Sequence, residues 1–174
     1  MGCDIHMFVQ YREKKEVYDK PDMYWEDFGG ELNPGRNYSM FGVLAGVRYS
    51  PDKGYDSKGI PEFGLSYVIR GSLYLTITED GKGEGECTLE NAKRWASWGR
   101  PIINDSDGNP FKVPHPDWHS HSWLTIKELE QAYRWYKKEE GYTPGLEWKV
   151  LLKTMKGLED GGKNDVVVVF WFDN

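Results

Sequence analysis

A chain of 174 residues, 39% of them hydrophobic, can bury one real core, and its formal charge of −6 lacks the basic stripe that duplex DNA or RNA requires. No apolar run approaches the roughly 20 residues of a membrane span, and no charged-then-apolar leader is read, so the expectation is a cytoplasmic protein without a membrane partner. Cys3 and Cys87 are too few for a disulfide framework or a four-thiolate zinc site.

Cys3 to Arg12 alternates, with Cys3, Ile5, Met7 and Val9 set against Asp4, His6, Phe8 and Gln10, the period-two pattern of a strand with two unlike faces. Asp4 and His6 of the opening GCDIH therefore share a face. Residues 20–37, dense in Gly, Pro, Asp and Asn, read as an ordered loop pinned by Tyr24, Trp25 and Phe28. Tyr38 to Val47 spaces Tyr38, Phe41, Leu44 and Ala45 as a short amphipathic helix, with Asn37 placed to cap it and Arg48 just beyond its end.

Residues 49–64 return to loop, Leu73 to Thr78 alternates as a strand, and Thr88 to Trp98 reads as a helix closed by Gly99 and Pro101. The run DSDGN at 105–109 begins like a calcium loop, but Pro116 stands where a bidentate Glu is needed, so it reads as a turn. Thr125 with Glu128 makes a capping box for a helix that Gly141 ends, and a further helix begins near Thr143-Pro144. The final DVVVVFWFD does not alternate, as befits a strand covered on both faces at the centre of a sheet. Together these elements predict an α+β fold, a single domain over 1–174. In it a mostly antiparallel sheet containing the first and last strands carries three to four helices.

The histidines are His6 and, in HPDWHSHSW, His115, His119 and His121. An extended chain would turn His115, Asp117, His119 and His121 to one side, and imidazoles with a carboxylate suit a divalent metal such as zinc, manganese or nickel. A loop before a capped helix has the same composition. Asp4 and His6 in DIH match the Asp-x-His that ends the first strand of calcineurin-like metallophosphoesterases, but the later Gly-Asp and Gly-Asn-His motifs of those enzymes are missing. Arg36, Arg48, Arg70 and Arg100 stand beside Gly or at element ends, where a guanidinium can fork onto phosphate or carboxylate.

GCDIH at the start, GRNYSMFGVLAGVR at 35–48, HSHSWLTIKEL at 119–129 and VVFWFDN at the end resemble the blocks of a family of uncharacterised proteins from bacteriophages and prophages. The blocks match in order and over nearly the whole length, while residues 50–117 look less like that family. The resemblance implies a viral or prophage origin and hence the host cytoplasm; it brings no activity with it. It does locate a site, since Asp4, His6, Arg36, Asn37, Tyr38, His119, Ser120 and Ser122 lie within matching blocks.

The leading expectation is a phage accessory protein of counter-defence type. It would bind a small phosphate-bearing or nucleotide-like ligand through Asp4, His6, Arg36, Asn37, Tyr38, Arg48, Arg70, His119, Ser120 and Ser122. One alternative is a hydrolase or phosphoesterase holding a divalent metal on Asp4, His6, His119 and His121. Another is an acidic inhibitor whose partner is a host defence protein.

Overall fold

In chain order the computed structural model runs β1 (Ile5–Val17), β2 (Lys20–Leu32), α1 (Tyr38–Ala45), α2 (Tyr67–Leu73), β3 (Tyr74–Thr78), β4 (Glu86–Thr88), α3 (Leu89–Ala96), β5 (Ile103–Asn104), β6 (Pro110–Pro114), β7 (His119–Thr125), α4 (Ile126–Glu140), α5 (Leu146–Asp160) and β8 (Asn164–Phe172). It describes residues 2–17 and 20–173, and side chains for 2–13 and 24–173. The fold class is α+β, with the first and last strands paired in an antiparallel sheet as the sequence predicts. Two compact units divide the chain: Met1–Ser66 with His119–Asn174, and Tyr67–Trp118.

The first unit holds the sheet β2-β1-β8-β7, every pair antiparallel. Alternation sorts its residues. Ile5, Met7, Val9 and Tyr11 of β1 and Val166, Val168, Phe170 and Phe172 of β8 join the main core with residues of α1, α4 and α5. The opposite face carries Phe8, Gln10, Val167, Val169 and Trp171, also buried, which is why β8 lacks a wet side. Gln10 is 0% exposed there and satisfied at both ends: Nε2 donates to the Gly64 carbonyl (3.2 Å) and Oε1 accepts from Ser66 N–H (3.0 Å). A buried amide paired in this way pins residues 64–66 to the sheet.

The first residues of α1 and α4 fall where the sequence places their caps, whereas α1 ends at Ala45 rather than Val47 and α3 at Ala96 rather than Trp98. Asn37 accepts from Met40 N–H, Thr125 and Glu128 form the full capping box, and Gly46 and Gly141 close α1 and α4 in the left-handed conformation. Helix α5 begins at Leu146, just after Thr143-Pro144, and continues through Gly157 to Asp160.

The second unit contains the sheet β4-β3-β6-β5, in which β3 and β4 run parallel. Helix α3 packs on one of its faces, where Cys87, Ala92, Trp95 and Val113 cluster with Leu75 and Ile77. DSDGN is the turn between β5 and β6, with Asp105 accepting from the N–H groups of Asp107 and Asn109.

Three expectations need correction. Most of residues 20–37 is a strand, β2, because Gly29 and Gly30 (φ 78° and 75°) serve a bulge at the Phe8/Val9 register shift rather than a loop. There are five helices among the described residues, the extra one being α2, whose seven residues are too few to display a period. His115 to His121 is not one extended run: residues 116–117 form a turn, and the chain passes from one unit to the other between Trp118 and His119. No helix among the described residues is long and apolar enough to cross a membrane.

Candidate functional site

Strands β1 and β7 begin, and β2 and β8 finish, at the same end of the first unit's sheet. That arrangement delivers the residues after β2 and the tail of β8 to the opening GCDIH. Cys3 and Ile5 point into the core, so Asp4 and His6 share the other face.

Arg36 forks onto Asp4, Nε donating to Oδ1 (2.5 Å) and Nη2 to Oδ2 (2.8 Å). This bidentate bond, aided by the nearby charge of His6, holds the Asp4 carboxyl below its ordinary range. The same carboxylate holds the Arg36 guanidinium above its own, with smaller contributions from Tyr38 and Asp173. Gly2 makes room for this pair. A Cβ at position 2 would fall 2.5 Å from Arg36 Nη1, so any larger residue pushes the guanidinium off the chain.

Asp173 links the two ends of the described chain: its Oδ1 accepts from Asp4 N–H (2.8 Å), and its own N–H donates to the Asp4 carbonyl (3.2 Å). His6 lies between two carboxylates, with Nδ1 2.7 Å from Glu31 Oε1 and Nε2 3.5 Å from Asp173 Oδ2. An ionised carboxylate only accepts, so the short contact puts a proton on Nδ1.

Strand β7 enters with a bulge. His119 pairs with Phe172 and Ser122 with Phe170, so Ser120 and His121 together stand opposite Trp171. Ser120 takes a left-handed φ of 50°, uncommon for a residue with a Cβ. One consequence is that His119 and His121 face opposite ways. The His119 ring stacks on Phe172 (6.1 Å between centroids), on the helix-covered side, with Ser120 Oγ 3.0 Å from its Nδ1. His121 turns to the other side, where its ring and that of His6 flank Trp171 at 6.3 and 6.0 Å.

His6 and His119 thus reach the same end from strands on either side of β8, two interstrand spacings of about 4.8 Å apart, but their side chains lie on opposite faces of the sheet. The other predicted residues divide. Arg48 joins this end: its guanidinium bonds the Cys3 thiol, whose pKa burial nevertheless raises. Its φ of 62° is a second left-handed residue there. Asn37 is the cap of α1 and donates to Tyr136 Oη (3.1 Å), while Tyr38 stands 42% exposed beside Arg36. Ser122 is buried and its hydroxyl accepts from Lys58 N–H (3.2 Å), a structural use that removes it from the ligand set.

Arg70 belongs to the second unit and lines a cavity made of that unit's residues. His115 and Asp117 are in the same unit, with His115 stacked on Trp118 (4.5 Å) and its Nδ1 accepting from Asp117 N–H. Among the described residues no three His, Cys, Asp or Glu side chains converge as metal ligands do. The set Asp4, His6, His119 and His121 fails for two physical reasons: Arg36 occupies both Asp4 oxygens, and the bulge turns His119 away.

Glu31, Trp171 and Asp173 were missed as partners of the site. Trp171 and Asp173 belong to VVFWFDN, a block that the sequence marks as strand and as family-like but not as site, and Glu31 belongs to the segment that reads as loop. No family model, curated protein or solved structure matches the chain.

Proposed function

We propose that the end of the sheet where β1, β7 and β8 meet binds a small phosphate-bearing, nucleotide-like ligand. One observation carries this reading: Asp4 and His6, Arg36 and Arg48, His119 and His121, and Trp171 and Asp173 converge there from four stretches far apart in sequence. Asp4 engages Nε and Nη2 of Arg36 and so orients the guanidinium, leaving its Nη1 hydrogens to reach an oxyanion. The exposed Tyr38 ring beside it offers a stacking surface for a base. Two of the three left-handed non-glycine residues among those described, Arg48 and Ser120, border this end, and backbone of that kind gathers at binding sites.

The resemblance to phage proteins gives the reading its setting. An accessory protein that sequesters a signalling nucleotide would blunt a host defence without any chemistry of its own. Isothermal titration against cyclic and linear nucleotides tests the reading: saturable binding that Arg36→Gln weakens is the expected outcome. Absence of binding at high micromolar concentration throughout the panel speaks against it.

A further inference from the structure

Sheet β4-β3-β6-β5 buries Leu75, Ile77 and Val113 under α3, so alternation turns Tyr74 and Thr76 of β3 and Lys112 of β6 to the other face. Thr76 and Lys112 are direct cross-strand partners. On that face lies a cavity of about 330 Å³ lined by Arg70, Tyr74, Thr76, Glu84, Gly85 and Lys112, among others, all from the second unit.

Arg70 and Lys112 have no carboxylate partner among the described residues, in a protein with a formal charge of −6 and acids in excess. Glu84 is the one acid in the cavity wall. Burial pushes the Tyr74 hydroxyl above its ordinary pKa, so at neutral pH it is a phenol and can donate. A guanidinium fork, an ammonium point charge and two hydroxyls around one cavity match a tetrahedral oxyanion.

The geometry points to this cavity as a binding site for a phosphate-class oxyanion, held by Arg70 and Lys112 with Tyr74 and Thr76 donating. The site is independent of the ligand proposed for the first unit, and either can fail without the other.

The test uses the full chain, labelled with ¹⁵N and titrated with inorganic phosphate and with pyrophosphate at constant ionic strength. Saturable shifts at the Gly85 and Lys112 amides, absent with chloride, are expected. The double variant Arg70→Gln/Lys112→Gln loses at least about tenfold in affinity, the scale of one charge-assisted hydrogen bond. Glu84→Gln, which removes the opposing charge and no packing, tightens binding. No saturable shift, an equal response to chloride, unchanged affinity in the double variant, or weaker binding by Glu84→Gln would each overturn the assignment.

Discussion

His6 and His121 flank one indole, that of Trp171, from strands on either side of it, with ring centroids 6.0 and 6.3 Å away. The three form a row across β1, β8 and β7, with Phe8 stacked on the same indole at 5.2 Å. Trp171 is 1% exposed, so the row is also a piece of core. Trp171→Ala is expected to cost about 3–5 kcal/mol in denaturant unfolding, as for other buried aromatic truncations. A loss under 1 kcal/mol, the range of surface changes, would mean that the row does not hold the sheet end together.

Asp4 and Arg36 make the pH dependence of this end specific. The folded carboxyl sits below its ordinary range, so the pair stabilises the fold above that range and its contribution disappears as pH falls through the folded value. Arg36→Gln should therefore raise the Asp4 pKa back toward the ordinary carboxylate range, observable by carbon NMR of the carboxyl, and flatten the loss of stability at acid pH. Gly2→Ala, which displaces the guanidinium, should move Asp4 in the same direction by less. An unchanged Asp4 titration in Arg36→Gln would show that other groups hold the carboxyl down.

Gln10 is the polar rivet of the opposite face. Gln10→Leu keeps the volume but strips the Ser66 N–H of its acceptor, a loss of about 1–3 kcal/mol for a buried group left unpaired. Hydrogen exchange at Ser66 should accelerate with it. Protection equal to the wild type would indicate that Gln10 does not pin this segment.

Thr125 and Glu128 satisfy each other at the start of α4. Burial raises the Glu128 pKa, but bonds from Lys58 Nζ and from the N–H and hydroxyl of Thr125 outweigh it and leave the carboxyl below its ordinary value. Thr125→Ala is expected to cost about 1 kcal/mol, with Glu128→Gln adding less in that background than alone, because both remove parts of one motif. Fully additive losses in thermal unfolding would contradict the coupling.

His119→Ala separates site from scaffold. The ring is half-buried against Phe172 at the edge strand, so the variant should keep its stability within about 1 kcal/mol while nucleotide binding is lost. A much larger loss in melting would mark the ring as a structural member of the Phe172 cluster.

Much of this arrangement was legible in the sequence, and the gaps have physical causes. Asp4 and His6 sharing a face follows from strand period alone, and DVVVVFWFD announced a central strand because both of its faces are buried. Asn37, Thr125 and Gly141 were readable because caps obey local chemistry. The bulge at Ser120 was not, since an HSHS run alternates perfectly on paper and only pairing against Phe170 and Phe172 breaks it. For the same reason the sequence places His6 and His119 together while hiding that the sheet lies between their side chains. In β2, glycines serving a bulge look like loop glycines until the partner strand is known.

Whether a nucleotide binds at this end of the sheet is the most direct question to put to the protein. The ¹H–¹⁵N spectrum of the full chain, followed during titration with a nucleoside 5′-triphosphate and a cyclic nucleotide, reads out the amides of Asp4, His6 and Ser120 and the Trp171 indole. Saturable shifts at these signals are expected, with the core indole of Trp148 unmoved. Saturable binding that leaves them in place, or no binding by either nucleotide at high micromolar concentration, would contradict it.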